Sequence, residues 1–214
     1  RFYRPLIFSS FFAILIGPAI NAMLGKAADM HTAIASYAIA LNVTQLVASF
    51  QVYVHQIVLN FHQRDARRVL RFTMGAVAVP FFTLASLGFT PLGEWFLRTV
   101  YGVDQSLLQT SIHTLRAFCL YTLLYPCIDY CNGLLMQKRQ TKYMAFSQAA
   151  NVTTTVLALI AMVWLAPGWN GVIGALGQCL GQAGELGVVA WVVYRLARPS
   201  FRSRDGNFLR LRND

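Results

Sequence analysis

Two ionisable side chains stand in places where few are tolerated. Glu185 lies 14 residues past Gly171 in one apolar run, and Arg116 lies nine residues past Leu107 in another. At the rise of an α-helix, Glu185 is roughly 21 Å and Arg116 roughly 14 Å from the start of its run. A charge at such depth in hydrocarbon must be paired, protonated or solvated. Two chemistries follow: an ion pair joining the two helices, or a site for a charged solute or a proton. Asp129 and His55 lie near the ends of their runs and form a second candidate pair. Around these groups run stripes of amides and hydroxyls. Asn42, Gln45, Ser49, Tyr53 and Gln56 recur at spacings of 3 or 4, as do Gln178, Gln182 and Glu185, with a weaker stripe at Ser147, Asn151 and Thr154. Such spacing puts each set on one helical face. A polar face is costly against lipid, so these faces are expected to line a wet cavity or to bond neighbouring helices.

Other chemistries have no residues to carry them. There is no Gly-x-Ser-x-Gly, His-Glu-x-x-His or P-loop pattern, so no enzyme is expected. Cys119, Cys127, Cys131 and Cys179 all fall in apolar segments, without Cys-x-x-Cys pairing or a nearby His. They read as packing residues; no metal, no cofactor and no disulfide is expected.

The elements that must position the polar groups are long apolar helices. The chain of 214 residues is 56% hydrophobic and only 12% charged. No charge falls between Pro5 and Gly25 or between Met30 and Arg64. Uncharged stretches of about 20 residues are what a bilayer requires and what a soluble domain does not use. Apolar length predicts six spans: Pro5 to Leu24, Ala33 to Asn60, Val69 to Thr90, Leu107 to Met136, Met144 to Ala166 and Gly171 to Leu196. A six-helix lobe over residues 1–198 is followed by a basic cytoplasmic tail, 199–214. In the loop Pro91 to Ser106, Gly93–Leu97 predicts a short interfacial helix. Gly17-Pro18 in the first span predicts a kink that could serve as a hinge. Gly174, Gly177, Gly181 and Gly184 predict close helix packing in the last.

The net charge of +10 is a topology signal rather than a nucleic-acid footprint. Fifteen of the 18 Lys and Arg fall at the start, at Arg64–Arg71, at Lys138–Lys142 and in the tail, whereas the alternate loops hold only Lys26 and Arg98. This bias predicts an integral membrane protein with both termini cytoplasmic. Tyr143, Trp191 and Tyr194 then fall at the inner interface, and Trp95, Tyr101, Trp164 and Trp169 at the outer one. The first apolar stretch is too long for a cleavable signal peptide, and the start on Arg is read as the sign of a piece of a longer protein.

In order, the segments FYRPLIFSSFFAILIGPAINAML, IASYAIALNVTQL, FHQRDARRVL, YGVD, LRAF, NGLLMQKRQTKY and GVIGALGQCLGQAGELGVVAWVVYR resemble one lobe of the multidrug/oligosaccharide-lipid/polysaccharide flippase superfamily, which includes the MATE exporters. They look most similar to the second, C-terminal lobe of the progressive ankylosis family. The resemblance covers nearly the whole chain up to Arg195. It implies an all-α MATE-like fold of two six-helix lobes around a central cavity, and export of organic anions or other amphipathic solutes by alternating access. MATE exporters often place a coupling carboxylate in the first helix of a lobe; the first span here has none. The expected partners are membrane lipid, a small-molecule solute and a second six-helix lobe, upstream in the same chain or in a homodimer, and no nucleic acid. The residues expected to line the path are Asn42, Gln45, Ser49, Tyr53, Gln56, Arg116, Asn151, Gln178, Gln182 and Glu185, with Gly17 and Pro18 as hinge. A lipid-linked saccharide flippase is the nearest alternative. An intramembrane enzyme using Glu185, Asp129 or His55, or a structural membrane subunit, are the alternatives of other classes.

Overall fold

A computed structural model describes residues 3–197; the tail expected over 199–214 lies outside them. Among the described residues there are eight α-helices and no strand. They are α1 (Tyr3–Leu24), α2 (Met30–Ala48), α3 (Val54–Phe61), α4 (Ala66–Phe89), α5 (Pro91–Thr99), α6 (Gln105–Gln137), α7 (Lys142–Leu165) and α8 (Gly171–Ala197). Short 3-10 turns at Ser49–Tyr53 and Pro167–Trp169 join α2 to α3 and α7 to α8.

The helix ends have local causes. Asp29 and Asp65 accept from the backbone N–H of Thr32 and Arg68, capping α2 and α4. The Thr32 contact holds the exposed Asp29 carboxyl below its ordinary range. Thr90 caps α5, and Pro91 occupies its first turn, where a missing N–H costs nothing. This is the short helix expected within the loop, two residues longer at each end.

Large apolar side chains are exposed to an extent unusual for a soluble domain. Ile14, Phe82, Phe146, Trp164 and Leu165 are exposed, the last at 85%. Inside lie Ser111, Thr114, Thr122, Ser147, Asn151, Gln182 and Glu185 among the apolar core residues. A continuous apolar exterior of this kind fits a lipid environment. Three helices are long and apolar enough to cross a membrane: α4, α7 and Gly171–Leu196 of α8. A fourth candidate is the pair α2 and α3, taken as one broken span.

Six continuous spans are expected, and the structure differs from that expectation in three places. The second is not one helix: it breaks at Ser49–Tyr53 and bends by 56°. Gln51 is wholly buried there, and its Nε2 donates to the carbonyls of Ala76 (2.7 Å) and Thr122 (3.2 Å). Those carbonyls lie four residues before Pro80 of α4 and Pro126 of α6, whose rings have no N–H to bond them. One amide thus satisfies what two prolines leave open. Secondly, α6 has 33 residues, ample length at about 50 Å, yet it is not among the apolar spans. It carries Arg116, Asp129 and many amides and hydroxyls, and α2, α3, α4 and α8 surround it. Thirdly, the apolar stretch Ser10–Leu24 within α1 is shorter than a span.

The glycine face of α8 packs as its spacing predicted. A Cβ at Gly177 would meet Leu159 Cδ2 at 2.6 Å, and one at Gly181 would meet Asn151 Oδ1 at 2.5 Å, both on α7. Nearer its start, Gly171 abuts Ser36 and Thr114, and Gly174 abuts Tyr37. Helix α8 is thereby wedged against α7 along its length and against α2 and α6 at its beginning.

Candidate functional site

Between α1, α2, α3, α6, α7 and α8 lies a polar cleft of about 650 Å³. Each helix contributes one face. Helix α6 presents Tyr121, Tyr125, Asp129 and Asn132, and α8 presents Gln178, Gln182 and Glu185. These sets recur every three or four residues, so they converge on one side.

Glu185 is the deepest charge, only 2% exposed. Its Oε1 accepts from Gln148 Nε2 and its Oε2 from Asn151 Nδ2, each at 2.7 Å. Asn151 is oriented in turn by Thr155, whose hydroxyl donates to Oδ1 at 3.2 Å. The acid is held by amides of α7 rather than by a cation. Tyr37 donates to Gln178 Oε1 at 2.8 Å, and the rings of Tyr121 and Tyr125 stack with centroids 5.5 Å apart. Gln182 Oε1 and Asn132 Oδ1 are buried with no protein partner. Both residues line the cleft, so two acceptors are left for a bound donor.

Asp129 and His55 are paired, Nδ1 to carboxylate at 3.1 Å. The same carboxylate accepts the backbone N–H of His55 at 2.7 Å. That N–H lies in the first turn of α3, where helical donors have no intrahelical partner. Asp129 therefore caps α3 from another helix and holds the bend.

Towards the end where α6 and α8 begin, apolar side chains pack beside the cleft residue Tyr37. Tyr37 and Phe118 lie with centroids 5.8 Å apart, and Phe118 is wholly buried. Cys179 reaches the carbonyl of Ala117 beside them.

Of the residues expected to line a path, Gln45, Asn151, Gln178, Gln182 and Glu185 border the cleft, as does Gly17 of the expected hinge. Pro18, next to Gly17 in α1, is exposed and does not border the cleft. Asn42, Ser49, Tyr53 and Gln56 are exposed and do not border it. Their stripe presumed an unbroken helix, and the turn at Ser49–Tyr53 ends it. Arg116 does not meet Glu185. Its Nε donates to the carbonyl of Gly88 at 2.6 Å, and its guanidinium lies over the Phe89 ring at 5.3 Å. Five residues separate Arg116 from Tyr121, which turns it about 140° from the cleft face of α6. There it caps the end of α4, whose last carbonyls lack helical partners. The ion pairs among the described residues are His55–Asp129 and Arg68–Asp65.

Gln51, Gln148, Asn132 and the three tyrosines escaped the sequence reading. Gln148 lies three residues before Asn151, and Pro80 and Pro126 announced orphan carbonyls; these were the available signals. Among the described residues no cluster of His, Cys, Asp and Glu could hold a metal ion. Compared with known proteins, the chain matches no family model, no curated protein and no solved structure.

Proposed function

We propose that this chain is one lobe of a MATE-like secondary transporter, moving a small amphipathic solute across a membrane by alternating access. The observation that carries the reading is a cleft of about 650 Å³, walled by amides, tyrosines and carboxyls, inside a bundle whose outside is apolar. Polar groups at that depth are costly unless they meet water or a ligand. Counting α1, the bent α2–α3 pair, α4, α6, α7 and α8 gives six crossings, with both termini cytoplasmic by the loop charges. A second lobe facing the cleft completes the path.

The expected organic-anion cargo is less well served. The only basic side chain bordering the cleft is His55, and Asp129 holds it. Glu185 and the free oxygens of Gln182 and Asn132 suit a solute that presents N–H or O–H donors or a positive group, with the Tyr121–Tyr125 stack for its apolar part.

The test is flux from proteoliposomes loaded with a fluorescent aromatic cation or with a carboxylated dye of similar size. The cation is expected to leave with wild-type protein and at least about tenfold more slowly with Glu185→Gln, as expected for loss of a charge-assisted contact. Equal rates for the two proteins, or no movement of either dye, would sink the reading.

A further inference from the structure

A second cavity shares no residue with the cleft. It measures about 450 Å³ and lies where α6 and α8 begin, between Thr110, His113 and Arg116 of α6 and the turn Gly168–Asn170. Its chemistry is opposite: no carboxylate lines it, and Arg116 has no acidic partner among the described residues.

The donors are arranged for an anion. Arg116 spends Nε on the Gly88 carbonyl, which anchors the guanidinium. Its Nη1 lies 3.4 Å from His113 Nδ1. The cavity thus holds a fixed cation with donors to spare and an exposed imidazole. Trp169, 55% exposed, forms an apolar wall. The oxygen of Asn170 is buried without a partner, on a residue held at φ 45, a conformation that side-chain-bearing residues seldom adopt. It can accept a hydroxyl from whatever fills the cavity.

We infer that this cavity is a binding site for an oxyanion, a phosphate or carboxylate with an adjacent hydroxyl, held by Arg116 and His113 against Trp169. The same chemistry is offered by an anionic lipid headgroup at the membrane surface and by a free phosphate or hydroxy acid. This inference does not depend on the cleft being a solute path.

The experiment titrates the full chain in neutral detergent and follows tryptophan fluorescence. One arm adds inorganic phosphate against chloride at equal ionic strength; the other adds short-chain phosphatidylglycerol against short-chain phosphatidylcholine. A saturable response is expected with wild type and lost in Trp169→Phe. Affinity should fall about tenfold or more in Arg116→Gln and about fivefold in His113→Ala. Glu185→Gln should leave it unchanged. A response to phosphatidylglycerol alone assigns the lipid as source, and a response to phosphate assigns the free anion. If Arg116→Gln fails to fold because Gly88 loses its donor, His113→Ala decides, since it leaves that bond in place. The inference is overturned if neither anion gives a saturable response, if His113→Ala binds as wild type does, or if Glu185→Gln abolishes binding.

Discussion

Gln51 shows how much one side chain can hold in a bundle of this kind. Its amide bonds the two carbonyls that Pro80 and Pro126 leave open, at the point where α2 gives way to α3. Gln51→Leu keeps the volume and removes the donors. Each stranded buried carbonyl costs about 1–3 kcal/mol, so a clear fall in thermal stability in detergent is expected; unchanged melting would mean that water replaces the amide. Gln51→Glu should be no better, because a carboxylate offers no donor. Glu185 and Arg116 give the complementary lesson. Their depth could be read from the sequence because depth is a count of residues. Their partners could not, because those depend on the rotation of each helix against its neighbours. Since the two share no contact, exchanging them as Arg116→Glu with Glu185→Arg is expected to rescue neither single variant, measured as folded yield. Rescue would contradict the geometry.

At the scale of elements, spacing was a good guide wherever a helix stays regular. Gly177, Gly181 and Gly184 of α8 lie against α7 as their period required, and the amides of α8 border the cleft. The stripe on the second span failed because no proline or glycine marks the break. The break is stabilised from outside, by Gln51 and by Asp129 capping α3. Two predictions belong here. Gly181→Ala would drive a methyl into Thr155 and Asn151; overpacking of this sort costs about 1–3 kcal/mol. Because Asn151 orients on Glu185, dye flux should fall together with melting temperature, whereas Gly187→Ala, with open space around it, should change neither. Asp129→Ala removes a cap and the His55 partner together. Loss of an N-cap costs about 0.5–2 kcal/mol, and faster amide exchange is expected in α3 while α7 keeps its protection. Equal exchange in α3 of both proteins would show that the bend is held by packing alone.

For the whole molecule, composition carried the class: long uncharged stretches gave an all-helical chain with an apolar exterior, as observed. The number of crossings is less legible, because α6 carries too many polar groups to count as an apolar span and α2–α3 is bent. The sidedness rests on the loop charges, and its check is labelling from outside. In a background lacking the four native cysteines, a Cys at Thr99, exposed at the end of α5, should react with an impermeant thiol reagent. A Cys at Ala66, exposed at the start of α4 beside Arg67 and Arg68, should be protected. The reverse pattern would invert the orientation.

The polarity of α6 also bears on how the protein is made. If α6 is one of the proposed crossings, a segment carrying Arg116 has little reason to leave the insertion machinery for lipid by itself, since a single arginine at mid-span costs about 2.5–3.5 kcal/mol on insertion scales. Its charged groups are answered by earlier parts of the chain, Gly88 and His55, whereas α8, against which α6 packs, comes later. On the proposed topology, α6 is without the α8 side of its packing until Gly171–Ala197 emerge. Chains halted before Gly171 should show α6 still accessible to water-borne reagents and to quality-control proteases, and chains extended through Ala197 should not.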